Sequence, residues 1–321
     1  DNGAVNSNQV SSQASKIGLR GSESLADGLK AIWQIEQQID VDNSGAVGAK
    51  NTFATRNSFV GLSGDGWGTL VLGRHDTPYK LATRKLDVFG DSLADNRSLM
   101  GQAGAHDARP TDTVIYTSPA MDGFTVAAAH VAGAESATLS TDTKGRAWSL
   151  AGMYDKGPLI ASLAYQVFDY GSAGTGQFAG TANTRSKAYK VGGGYKMDAL
   201  QVNAVYEKTS DNTGAGFTDS KGFKAYYLSG KYSLGNDAVK LAYTHAGDLN
   251  KGTTGTGANQ FTVGYDHSLS KRTTVYALYT RLDNRAAATY KISNAGSTAG
   301  GIAVVAGNDP YAWSFGMKHT F

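Results

Sequence analysis

Cysteine is absent from the 321 residues, which excludes a disulfide scaffold and thiolate metal sites and suits an oxidising compartment. Proline is scarce, at 5, so the chain has few places where a regular element must stop. Long apolar runs are missing too. The longest, such as "GIAVVAG", fall far short of the ~18 residues a membrane helix needs, so a helical membrane protein is excluded. At 40% the apolar fraction is low for a soluble protein of this length, and a large packed core would be hard to fill. Net charge is only +3 and spread along the chain, which gives no reason to expect nucleic acid as a partner. The opening "DNGAVNSNQVSSQ" carries no basic n-region or apolar h-region, so any export signal is expected to have been removed already.

Glycine (41) and tyrosine (17), by contrast, are plentiful, and apolar and polar residues alternate from end to end. Residues two apart share a face of a strand. In the closing "AWSFGMKHTF", Trp313, Phe315, Met317, His319 and Phe321 therefore oppose Ala312, Ser314, Gly316, Lys318 and Thr320. A bulky, mostly apolar face ends the chain with nothing left to cover it. Fifteen such segments are readable, at about 13–21, 28–40, 51–63, 67–75, 112–118, 123–131, 145–154, 158–167, 186–196, 199–208, 222–233, 238–246, 259–268, 273–282 and 311–321. Leu200, Val202, Ala204 and Tyr206 oppose Gln201, Asn203 and Glu207; Val239, Leu241, Tyr243 and His245 oppose Lys240 and Thr244. Short turns such as "SGDGWG", "YDKGP" and "SLGNDA" alternate with long polar loops. One greasy and one wet face, aromatics near strand ends and loops long at one end only predict an all-β, transmembrane antiparallel barrel filling residues 1–321 as a single domain. Bacterial single-chain barrels close with an even strand count. Fifteen readable strands thus predict sixteen in the full-length protein, the first apparently absent and expected upstream of Asp1, pairing with the last.

Two stretches, "SKIGLRGSESLADGLKAIWQIEQ" at 15–37 and "RNSFVGLSGDGWGTLVLGR" at 56–74, together with the terminal Phe321, resemble the general porins of Gram-negative outer membranes, most closely their β-proteobacterial and neisserial branch. The resemblance implies a homotrimer of sixteen-stranded barrels in outer-membrane lipid and lipopolysaccharide. Each barrel would be a passive channel for small hydrophilic solutes and ions, without cofactor, metal or enzymatic activity, narrowed by its third long loop. It also implies that the terminal phenylalanine serves as a membrane-insertion signal. The loop that fits is the long segment at about 76–110, holding Lys80, Arg84, Lys85, Asp87, Asp91, Asp95, Arg97, Asp107 and Arg109. In the family, basic wall residues oppose loop acids. By resemblance Lys16, in "SKIG", and Arg74, in "LGR", are basic wall positions. Arg74 shares parity with Leu70 and Leu72, so a bulge or strand end at Gly73 would be needed to re-aim it. Where neisserial relatives carry an arginine before their "DSP", this chain has Ile115, and Arg109 is the candidate substitute.

Lys16, Arg20, Lys30, Lys190, Lys196, Lys231 and Lys240 lie on the polar parity of their strands; at mid-depth a lipid-facing charge would cost ~2–4 kcal/mol. Clear inward acids are fewer, namely Glu36, Glu207 and Asp266. The expected constriction is Lys16, Arg20, Arg74, Lys80, Arg84, Asp87, Asp91, Asp95 and Arg109, with Asp87, Asp91 and Asp95 facing Lys16, Arg20 and Arg74. The excess of wall cations predicts moderate anion selectivity. Other motifs carry less. "DVDNSGAVGAKN" begins like a calcium loop with Asp40, Asp42, Ser44 and Gly45, but Asn51 stands where a bidentate glutamate is needed. The histidines His75, His106, His130, His245, His267 and His319 show no paired metal-ligand spacing, and several fall on outward faces near strand ends. Two alternatives remain: a channel with a true binding site for one anionic substrate, marked by saturating flux, and a barrel that only anchors an adhesin or enzyme, marked by no conductance.

Overall fold

The structure, a computed structural model, describes residues 8, 10–39, 53–101, 106–133, 145–171, 181, 183–213, 216, 218–251, 254–292 and 304–321. Fifteen strands form one antiparallel sheet in chain order. They are β1 (Lys16–Ala26), β2 (Leu29–Gln38), β3 (Ser58–Gly64), β4 (Gly68–Arg74), β5 (Thr113–Thr117), β6 (Phe124–Ala132), β7 (Arg146–Lys156), β8 (Leu159–Asp169), β9 (Arg185–Met197), β10 (Leu200–Asp211), β11 (Lys224–Leu234), β12 (Asp237–Ala246), β13 (Ala258–Ser268), β14 (Thr273–Asn284) and β15 (Tyr311–His319). Every segment expected from alternation is a strand. No sixteenth strand lies among the described residues, and β1 and β15 are the sheet's two edges. The first strand runs further than its alternation suggested. It continues through Glu23 to Ala26 and turns at Asp27-Gly28, both with positive φ (46° and 77°), the two-residue hairpin turn whose twist matches antiparallel strands.

Outward side chains are apolar and exposed: Trp313, Phe315 and Met317 of β15 are 64, 75 and 66% exposed, and Leu163, Leu228, Leu241 and Phe261 follow the same pattern. Among the described residues none covers them, the pattern of a sheet whose outer face meets lipid. Inward, the sheet wraps around the segment between β4 and β5. That segment contains helix α1 (Pro78–Arg84), capped by Thr77, whose hydroxyl accepts from the Lys80 amide, and a single 3₁₀ turn at Asn96–Ser98.

The inner face is not uniformly wet. Where the loop lies, the wall presents small apolar side chains: Ala151, Ala164 and Ala188 receive Tyr79 and Ala82, while Ala225, Ala242, Ala246, Ala258 and Leu278 join Leu86, Phe89, Leu99 and Met100. Glycines provide further room. A Cβ at Gly192 would stand 2.5 Å from Leu86 Cδ1, and one at Gly264 2.6 Å from Phe89 Cε1. The molecule's core is thus a layer between loop and wall.

Candidate functional site: the lumen and its inward loop

Polar contacts fix both ends of the loop to the wall. At its root Asp76 receives Lys80 at 2.7 Å and Arg109 at 3.0 Å. Burial opposes the charge of Asp76, but these two cations hold its carboxyl well below the usual range; burial brings the Lys80 ammonium down to about 8. Arg109 also donates to Asn57 Oδ1 at 2.9 Å. Further along, Glu207 of β10 accepts from the Tyr79 hydroxyl (2.8 Å), the Gly101 amide (2.7 Å) and Lys190 (3.3 Å). Lys190, only 2% exposed, also meets Asp107 at 2.7 Å and lies over the Tyr79 ring. His106 is fully buried, stacked on Phe168. Gln166 donates to its Nδ1, so its Nε2 carries the hydrogen and donates to the Ser186 hydroxyl at 2.8 Å. Burial pushes the imidazole down to about 3, and it is neutral.

Two acids expected to face the wall cations meet other partners, Asp87 a wall tyrosine of β11 and the loop's own amides, Asp95 the loop's own arginines. Asp87 accepts from the Tyr227 hydroxyl (2.9 Å) and from the amides of Phe89 and Asn96. Asp95 receives Arg97 at 2.7 Å and Arg84 at 3.2 Å. Both carboxylates are buried staples; the arginines hold Asp95 low, while burial, with Asp95 beside it, raises Asp87. Asp91 keeps 37% of its side chain exposed, with Arg84 and Arg97 approaching it at 3.2 and 3.5 Å. Lys85 reaches Asp155 at 2.6 Å.

The loop tip, Val88–Leu93, borders a cavity of about 1350 Å³ that also touches Lys16, Arg20 and Glu36 on one wall and Lys240, Asp266 and Lys318 on the other, and extends along the free edges of β1 and β15. Of the nine expected constriction residues, this cavity brings together Lys16, Arg20 and Asp91. Lys80, Arg84, Asp87, Asp95 and Arg109 build the loop. Arg74 stands apart as well. The β3–β4 register runs through Gly73 without a bulge, and Gly73 instead takes a φ of 141°; the Arg74 guanidinium donates to the Thr55 carbonyl at 3.5 Å. Ile115 lies in an apolar inner patch with Val71 and Ala129, and Arg109 sits at the loop root.

Wall charges divide into two groups. Each expected inward acid is taken up: Glu36 by Arg56 at 2.7 Å and Lys16 at 3.9 Å, Glu207 by Lys190, and Asp266 by Lys240 at 2.8 Å. Among the described residues Arg20, Lys30, Lys196 and Lys231 have no acid partner. The arginine of the Glu36 pair, Arg56, falls in the expected 51–63 segment on the parity of the outward Val60 and Leu62, but β3 begins only at Ser58 and Arg56 is buried before it. The calcium-like stretch from Asp40 to Asn51 lies outside the described residues.

Residues 1–287 match the family described as Gram-negative porin. The outer membrane porin protein 32 of Delftia acidovorans is 30% identical over 96% of this chain and 84% of its own length. The major outer membrane protein P.IA of Neisseria meningitidis serogroup C is 27% identical over 83% of this chain and 75% of its own. Among solved structures, the anion-selective porin from Comamonas acidovorans superposes with a TM-score of 0.81 at 27% identity, covering 97% of this chain and 91% of that one.

Proposed function

This chain belongs to the Gram-negative porin family, and we propose that within it the protein is a passive outer-membrane diffusion pore that favours small hydrophilic anions. One observation carries the preference: the wall acids Glu36, Glu207 and Asp266 are each paired with a cation, whereas Arg20, Lys30, Lys196 and Lys231 keep no acid partner among the described residues. A low-dielectric wall focuses the field of such unmatched charges into the water-filled space. Around the loop-tip cavity the cations Lys16, Arg20, Lys240, Lys291 and Lys318 stand against the carboxylates of Glu36, Asp91 and Asp266. The anion-selective character named for the Comamonas acidovorans relative supports the same reading. Conduction calls for weak, exchangeable contacts, and exposed ammonium groups supply them.

A homotrimer belongs to this proposal. Strands β3, β4 and β5 have 7, 7 and 5 residues, short of the ~9–11 that span a bilayer, while their outward Val60, Leu62, Leu72 and Val114 are apolar. Copies of the chain covering this low stretch of wall would remove the mismatch. The test of selectivity is the single-channel reversal potential across a salt gradient, in wild type and with Lys16→Glu and Arg20→Glu combined. Anion preference that moves toward cations in the double variant is the expected result. Cation preference in the wild type, or an unmoved potential in the variant, would overturn it.

A further inference from the structure

At the loop tip the lumen shows more apolar surface than the passage of hydrated ions requires. Tyr276 of β14 is half-buried on the inward parity of Leu278, and it pairs with Asp266 on one side and Gly316 on the other. Because Gly316 has no side chain, the Tyr276 ring lies down over it: a Cβ there would stand 2.5 Å from the ring carbon Cζ and 2.7 Å from Cε1. One face of the ring thus rests on the backbone of β15, and the other borders the cavity of about 1350 Å³. Val88 and Leu93 of the loop tip, with Ile292, border the same cavity and are likewise half-buried. Phe89 and Leu278, against which Val88, Tyr276 and Ile292 pack, are already buried, so these outer side chains leave apolar surface on the water side. Cations flank that surface. Lys318 sits opposite Thr274 and is therefore diagonal to Tyr276; it is exposed and has no acid partner among the described residues. Lys240, paired with Asp266 at 2.8 Å, lies over the Phe89 ring at 4.8 Å, and Lys231 stands directly across the β11–β12 ladder from it. Three ammonium groups thus stand against the one carboxylate of Asp266.

An apolar shelf beside an unmatched cation is complementary to a solute that is apolar at one end and anionic at the other. We propose that Tyr276, Val88, Leu93 and Ile292, with Lys318, form a site for planar aromatic carboxylates, the solute's ring lying on the Tyr276 ring and its carboxylate on the Lys318 ammonium. This rests on the anion-pore reading above and deepens it by naming which anions the loop tip retains. Diagonal neighbours on a sheet are about 7–8 Å apart, a span that a lysine side chain and a ring bearing one carboxylate bridge together. Both halves of the site are needed. A compact anion such as chloride or acetate gains nothing from the shelf, and a neutral aromatic gains nothing from the ammonium. One aromatic contact of this kind changes occupancy about two- to tenfold, which leaves the solute free to move on, as conduction requires.

The test uses the full-length protein in a planar bilayer, with the single-channel chloride current titrated by potassium benzoate, potassium acetate or benzyl alcohol. In wild type, benzoate should reduce the current at concentrations about two- to tenfold below those acetate needs, and benzyl alcohol should leave it unchanged. Tyr276→Ser and Lys318→Gln should each bring benzoate to the level of acetate, while Tyr276→Phe, which keeps the ring, should retain the difference. Benzoate and acetate acting alike on wild type overturns the proposal. So does a benzoate effect that survives both Tyr276→Ser and Lys318→Gln, which would put the site elsewhere, or benzyl alcohol acting as strongly as benzoate, which would make it a site for neutral apolar solutes. Should Tyr276→Ser fail to fold, the three solutes on wild type and on Lys318→Gln still decide. The reversal potential of the same wild-type channels in potassium chloride separates the two readings. Cation preference there overturns the anion pore and this site with it, whereas anion preference with benzoate and acetate alike overturns this site alone.

Discussion

At the residue scale, the side chain most sensitive to its surroundings is His106. Both ring nitrogens are engaged, the ring is fully buried, and desolvation holds the imidazole at about 3. Its group is a base whose value is depressed when the loop is docked. Docking stability from this histidine is therefore fully present above the undocked value near 6.5 and is lost as pH falls, because only the undocked state takes up the proton. The loss accumulates at about 1.4 kcal/mol per pH unit between roughly 6.5 and 3. Acidification from pH 7 to 4.5 should lower the thermal midpoint of loop release in wild type. His106→Gln, which keeps an amide donor and acceptor but does not titrate, should flatten that dependence. Parallel pH profiles for the two proteins would show that the acid response arises elsewhere.

At the scale of elements, the loop is held as much by what the wall lacks as by what it offers. Gly264 leaves the space that the Phe89 ring fills. Gly264→Val should push that ring off the wall at a cost of about 1–3 kcal/mol, the usual range for overpacking, and raise single-channel conductance by shifting the constriction. Gly230→Val is the control, because Gly230 faces outward and a Cβ there would meet nothing nearer than the Gln201 carbonyl at 3.8 Å. Equal conductance in the two variants would remove the glycine seat from the account. The strands themselves were legible because alternation reports a face at every second residue, and all fifteen segments follow it. The end of β1 was not, because Glu23 on its outward parity interrupts the apolar pattern before the Asp27-Gly28 turn. Within the loop no such period exists. The direction of Asp87 is set by Tyr227, which only the folded chain brings near, and that of Asp95 by Arg84 and Arg97, neighbours in the loop whose choice of partner no alternation reports. Lys190 and Glu207 were placed on the correct inward parity, yet their burial depends on a loop more than eighty residues upstream laying itself over them.

At the scale of the whole molecule, selectivity is a sum over charges weighted by distance from the permeating ion, and pairing alters that sum as much as number does. At physiological salt the Debye length is ~8 Å, so charges on the outer face and in external loops contribute little to the lumen. Lys240 and Asp266 offer the sharpest case, since both border the loop-tip cavity and lie 2.8 Å apart, nearly cancelling each other at any distance beyond their separation. Asp266→Asn releases the Lys240 ammonium into the cavity and should move the reversal potential further toward anions. Asp283→Asn makes the same change in net charge at an exposed position on the outward parity of β14, where Arg281 approaches it at 2.6 Å, and should leave the potential where it was. In 1 M salt, where the Debye length is ~3 Å, the wild type and the Asp266 variant should converge. Equal shifts from the two substitutions would mean that net charge alone governs permeation, and an unmoved potential in Asp266→Asn would place the selective field away from the loop tip, on Lys30, Lys196 and Lys231.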